Sequence, residues 1–182
     1  MSDNVDWIVV LDARLDEADA LANRVKDWLI AEEIILPRTA SKRSLNGGEM
    51  WLRGWAAKWD DDLTFQSRPA LSGLEIAKER QVFHAGGHGI DSLTCPHCGA
   101  QHRPDNLEWS DAVGSWQLGN DGSSLFCTSC HVHSPIVDWE FCVPWALGSL
   151  GFGFWNWVVR PELVDQIASL TGYRCRLVRE HI

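Results

Sequence analysis

The sequence predicts an α+β fold: one mixed or antiparallel sheet with helices on a single face, interrupted by an inserted module of paired cysteines. Three observations lead there. Strand, helix and strand signals succeed one another at the front of the chain and return in the same succession at the back. Between them stand two Cys-x2-Cys motifs. The 182 residues are 45% apolar and 23% charged, which is ordinary for a globular chain that builds its own core.

Trp7 to Asp12 is a short apolar run that fits a buried strand. Asp16, Glu17 and Asp19 suit a helix N-terminus, where the dipole favours acids. Ala18, Leu21, Ala22, Val25, Trp28 and Leu29 then recur at helical steps, predicting an amphipathic helix over 16–33. Pro37 ends the short stretch after this helix, and 38–47 reads as a polar loop. Trp51, Trp55 and Trp59 stand four apart and predict a helix over 49–60 whose tryptophans share a face, either core or interface. Asp60, Asp61 and Asp62 fit a solvated helix end, with metal binding as the alternative. Residues 73–85 read as strand, but the alternation slips between Ile76 and Val82, which predicts a bulge or a tight hairpin.

The back half mirrors this. Residues 150–157 form an aromatic strand interrupted by glycine. Pro161 fits a first helical turn and Gly172 a C-terminal stop, with Leu163, Val164, Ile167 and Leu170 as the buried face. Tyr173 to Arg179 alternates, so one face of that strand is wet. Two strand–helix–strand units of this kind can share one antiparallel sheet in a ferredoxin-like sandwich. The expected division is 1–90 for the first α/β half, 91–135 for the insertion, and 136–182 for the second half completing the same domain. The strand closing the first unit is undetermined, because forty residues separate the first helix from residue 73.

The cysteines carry the chemistry. Cys95-Pro-His-Cys98-Gly99 and Cys127-Thr-Ser-Cys130 place two tight turns 28 residues apart. Each turn lets two sulfurs point at one ion, and Gly99 lets the backbone curl beneath it. The pattern resembles a zinc ribbon, which implies one structural Zn2+ held by Cys95, Cys98, Cys127 and Cys130. A closed four-thiolate site leaves no position open for catalysis. His97, His102, His131 and His133 lie near enough in sequence to replace a cysteine, and only then would hydrolysis be open. Cys-Pro-His-Cys also matches the motif of oxidising thiol–disulfide oxidoreductases. There it opens a helix, whereas here Gly99 comes at once and a second pair exists. Cys142 and Cys175 are expected to be buried and inert.

Charge bounds the partners. The net charge is −9, and residues 91–140 carry seven acids against one base, Arg103. Such a module repels phosphate, so nucleic acid is not an expected partner. The start of the chain lacks a basic segment leading into a long apolar run, so a cytoplasmic location without membrane association is expected, where thiols stay reduced. Neither a phosphate-binding Gly-x4-Gly-Lys-Ser/Thr loop, nor Gly-x-Ser-x-Gly, nor His-Glu-x-x-His occurs.

Phe152-Gly-Phe-Trp-Asn-Trp157, a short helix, and Gly172-Tyr-Arg-Cys-Arg-Leu-Val178 together resemble a group of small uncharacterised bacterial proteins that carry paired cysteines and a Phe-Trp-Asn-Trp-Pro segment. The resemblance covers about the second half. Here Val158, Val159 and Arg160 intervene before Pro161, a departure from that pattern. It implies no activity.

The expected function is therefore non-enzymatic: a zinc-stabilised module that binds another protein. Eleven tryptophans supply interface anchors, and the acidity favours a basic partner, as for a bacterial immunity-type protein masking a toxin. Two alternatives remain open. One is a metal-dependent hydrolase using the glycine-rich loop of His84, His88 and Asp91, otherwise a plain connection. The other is a nucleic-acid-binding ribbon, disfavoured by the acidity.

Overall fold

The computed structural model describes residues 3–39, 44, 47–54, 72–85 and 89–182; the expectations for Trp55, Trp59, Asp60 to Asp62 and His88 lie outside them. The chain opens with β1 (Asn4–Val10), α1 (Ala18–Ala31), β2 (Ile35–Thr39), β3 (Met50–Arg53), β4 (Gly73–Ala77) and β5 (Gln81–Phe83). The cysteine region holds β6 (Leu93–Thr94), β7 (Gln101–His102), α2 (Trp109–Gln117), β8 (Ser124–Phe126), β9 (His133–Pro135) and β10 (Glu140–Phe141). The chain closes with β11 (Ala146–Gly148), β12 (Leu150–Trp155), α3 (Pro161–Thr171) and β13 (Cys175–His181).

The main sheet is antiparallel throughout, with strand order β13-β1-β12-β4-β3-β2. The first and last strands of the chain are therefore neighbours, with Trp7 opposite Val178 and Gly153. β1 lies inside the sheet, and its side chains from Val5 to Val10 are all buried. That explains an apolar run without alternation, since both of its faces are dry.

The two faces carry different cores. Ile8, Val10, Leu74, Phe152 and Phe154 meet Leu21, Val25 and Leu29 of α1 and Leu163 and Ile167 of α3. α1 and α3 thus pack on this face, whereas α2 belongs to the core of the cysteine region. On the other face Trp7, Val9, Trp155 and Val178 meet Phe83 and Ala146, from the short β5–β11 pair. The glycines of β12 belong to this second face. A Cβ at Gly153 would lie 2.7 Å from the Trp7 ring, and one at Gly151 would lie 2.5 Å from Phe83. Glycine there leaves room for two aromatic rings, 5.0 Å apart and tilted by 56° to each other, to pack against the sheet.

Pro161 opens α3 and Gly172 ends it in the left-handed conformation, φ 77°. The Phe-Trp-Asn-Trp segment is a piece of this architecture. Trp155 donates its indole N–H to Glu75 at 2.8 Å. Asn156 turns the chain at φ 52°, accepts the Asn4 backbone N–H at 3.1 Å and donates to Asp3 at 2.9 Å. Trp157 packs edge-on to Phe154 at 5.0 Å.

Two expectations are corrected. Residues 50–53 are strand, not helix, and Trp51 pairs with Leu74 in the sheet. A spacing of four places side chains on one face of a strand as well as of a helix, so it could not discriminate. The slip between Ile76 and Val82 is neither bulge nor hairpin: β4 joins the main sheet while β5 leaves it to pair with β11.

Candidate metal centre

The cysteine region has a small core of Leu93, Ala112, Val113, Trp116, Leu125, Ile136, Trp139 and Phe141. The two cysteine turns stand at one end of it. Cys95 comes directly after β6 and Cys127 directly after β8, so two hairpins present them side by side.

The turns share one backbone design. In the first, the Gly99 N–H donates to the Cys95 carbonyl and the Cys95 N–H to the Ala100 carbonyl, both at 2.9 Å. In the second, the His131 N–H donates to Cys127 at 2.9 Å and the Cys127 N–H to Val132 at 3.0 Å. The fifth residue of each is left-handed: Gly99 at φ 72° and His131 at φ 60°. The first turn signals this with glycine. The second uses a histidine at some strain, which nothing in its spelling announces.

The four sulfurs lie within 4.8 Å of one another. Cys95 Sγ and Cys130 Sγ are 3.9 Å apart, and Cys98 Sγ and Cys127 Sγ 3.7 Å apart. A disulfide needs about 2.05 Å, so these are free thiols. Sulfurs at the corners of a tetrahedron about 2.3 Å from its centre are roughly 3.8 Å apart. The cluster therefore has the dimensions of a metal cage. Among the described residues no other group of three or more His, Cys, Asp or Glu comes as close.

The electrostatics agree. Burial alone would raise the Cys127 thiol, but the N–H groups of Cys130 and Ser129 and the neighbouring thiols outweigh it and bring it down to about 5. Cys130 is pushed up to about 12, by burial first and then by the thiols of Cys127, Cys98 and Cys95.

His102, 7% exposed, places Nε2 3.2 Å from Cys127 Sγ, with Nδ1 3.4 Å from the Thr128 hydroxyl. A thiolate can only accept, so a hydrogen bond to it would be donated by Nε2. Trp139 packs against this ring at 5.9 Å. His102 thus supports a ligand rather than replacing one. His97, His131 and His133 are exposed and stand outside the sulfur cluster.

Of the other residues singled out in the sequence, His84 packs on Trp145 at 5.4 Å, and the Asp91 backbone N–H donates to Cys142 Sγ at 3.1 Å. Cys142 is exposed, contrary to expectation. Its thiol is nonetheless lowered, because N–H groups of Ser92, Asp91 and Val143 overcome the larger effect of burial. Cys175 is pushed up to about 11 by burial, in keeping with an inert thiol. None of the described tryptophans is exposed: Trp7, Trp116, Trp139, Trp155 and Trp157 are buried and the rest half-buried. Trp116 is capped by the Arg80 guanidinium, 4.1 Å from its ring.

These observations define an α+β protein with a four-cysteine cluster of metal-binding dimensions. No family model, curated protein or solved structure matches the chain. No described helix is long and apolar enough to cross a membrane.

Proposed function

We propose that this protein is a non-enzymatic, zinc-stabilised module that binds another protein in the cytoplasm, with a basic partner such as a toxin masked by an immunity-type chain as its concrete form. The observation that carries this is the sulfur cluster. Four sulfurs within 4.8 Å of one another would fill a tetrahedral shell, and His102 stands against Cys127 at 3.2 Å rather than in place of a cysteine. Zinc in such a shell is a cross-link, without an open position for substrate. Cys95, Cys98, Cys127 and Cys130 would hold it. The charge of −9 disfavours phosphate partners and speeds capture of a basic one.

The architecture supports a matching reading of the chain. Within the main sheet, β13-β1-β12-β4 is the strand order of a ferredoxin-like sandwich. The zinc ribbon then sits as an insertion between its halves, and β2 and β3 extend one edge.

Cross-linking at native expression level, with purification of the adduct, tests the function. The expected product is a defined heterocomplex with a protein of net positive charge. A chain that remains alone, or that carries nucleic acid, overturns the proposal. The hydrolase alternative gains if His84→Ala abolishes a cellular phenotype while the chain stays folded.

A further inference from the structure

We infer that the groove between α2 and β8 is the docking site for an extended, lysine- or arginine-bearing segment of a partner protein. This rests on the protein-binding reading above and gives it a place. None of the described tryptophans is exposed, so among the described residues the exposed anchor is another aromatic.

The groove measures about 630 Å³ and runs between the face of α2 and residues 123–126. The most exposed apolar side chain lining it is Phe126, 39% exposed in a strand whose middle residue, Leu125, is buried. Ring contacts to His133 at 5.1 Å and His131 at 6.0 Å hold the phenyl group in place. The strand keeps a large ring at the surface rather than in the core, where a basic side chain can lay its stem and charge against it.

The charge is supplied by the N-terminal end of α2. Glu108 and Asp111 are both exposed and both line the groove. Among the described residues neither takes part in an ion pair or a side-chain hydrogen bond. Three other acids of the same region are matched, Asp105 by Arg103 at 3.6 Å, Asp121 by Arg80 at 2.6 Å and Asp138 by Arg174 at 2.8 Å, while Asp91 and Glu140 do not line the groove. Two unmatched carboxylates beside an exposed ring complement a cationic chain. They repel an RNA backbone or an anionic membrane. Among the described residues β8 pairs with β9 alone, so its second edge is open to an added strand.

The test uses the metal-loaded full chain and a short labelled oligolysine, read by fluorescence anisotropy and by amide shifts in NMR spectra. The expected result is saturable binding with shifts gathered on Glu108, Asp111 and Ser124 to Phe126. E108Q/D111N should weaken it about fivefold or more, given two lost charge pairs. F126S should weaken it while leaving metal content unchanged. Neutralising two exposed acids of α3 instead, E162Q/D165N, should leave binding within twofold, roughly the scatter expected for distant charges. Absence of binding, shifts centred elsewhere, or equal weakening by the α3 variant overturns the proposal. So does an RNA homopolymer that fills the same groove. If a basic protein cross-links to the chain but ignores E108Q/D111N, the groove fails and the broader reading stands. If oligolysine fills the groove and no protein partner forms, the reverse holds.

Discussion

The sheet and the cysteine region solve the same problem by different means. The main sheet has strands of seven, six and seven residues at β1, β12 and β13, with apolar layers on both faces. In the cysteine region β6, β7 and β10 have two residues each and β8 and β9 three. Ladders that short cannot hold their own register. Two of its core residues, Cys95 and Cys127, are 1% and 0% exposed and are also candidate ligands. The sheet is held by buried area, whereas the cysteine region has short ladders, and a metal held by its four sulfurs would supply a cross-link there.

Removing the cross-link should therefore divide the molecule. Metal analysis of protein purified without added metal is expected to give one zinc per chain and no iron. Cys127→Ser, which leaves three ligands, should cost roughly 4 kcal/mol, or about 8–16 °C for a chain of this size. Amide exchange should then quicken in residues 93–141 while β1 and β12 stay protected. Equal loss in both regions would mean that they share one core. A metal-free wild type with unchanged melting would remove the structural role altogether.

A second comparison concerns glycines with opposite reasons to be glycine. Gly153 lies in the sheet under Trp7, and a Cβ would meet that ring at 2.7 Å. Gly99 lies in a cysteine turn at φ 72° with nothing within 4 Å. Gly153→Ala should cost about 1–3 kcal/mol through overpacking, read as a lower denaturant midpoint and a disturbed tryptophan spectrum. Gly99→Ala should cost about 1 kcal/mol through backbone strain, and the tolerated His131 shows that the turn can carry it. A larger loss at Gly99 than at Gly153 would reverse this assignment.

Legibility in the sequence divides along the same line. Regular periodicity located α1, α3 and β13, because amphipathic elements repeat their signal, whereas β12, buried on both faces, is legible as an aromatic run. The spacing of Cys95, Cys98, Cys127 and Cys130 located the cluster, because a tetrahedron demands paired donors. Short elements repeat nothing. Trp109 and Trp116, seven apart, fit two turns of helix, yet nine residues gave too little pattern to establish α2. Trp51 misled because its spacing satisfies strand and helix alike. His102 is legible only as a possible replacement ligand; its contact with Cys127, 25 residues away, has no local signal. The exposure of Cys142 was likewise invisible, since it depends on how β10 pairs with β6.

The two regions are also tied to each other, and there the expected effect is smallest. Arg174, just before β13, donates to Asp12 at 2.9 and 2.6 Å and to Asp138 of the cysteine region at 2.8 Å. Arg174 is 58% exposed in its side chain and Asp12 33%, so solvent screens the pair, and its loss should cost about 1 kcal/mol. The Arg174 hydrogen bonds hold the Asp12 carboxyl below its usual range, against the opposing effect of partial burial. The folded state therefore binds this proton less readily than the unfolded chain. The stabilisation is fully present above the unfolded carboxyl value of about 3.9 and is lost as pH falls through the lower folded one. Acid also protonates thiolate ligands and releases metal, so wild type alone cannot isolate the pair. The difference between wild type and Asp12→Asn can. It should be constant above about pH 5 and shrink below about pH 4, by the same carboxyl value. If that difference stays constant down to low pH, or grows, then Asp12 does not anchor Arg174, and the two regions meet through Trp116 and Arg80 instead.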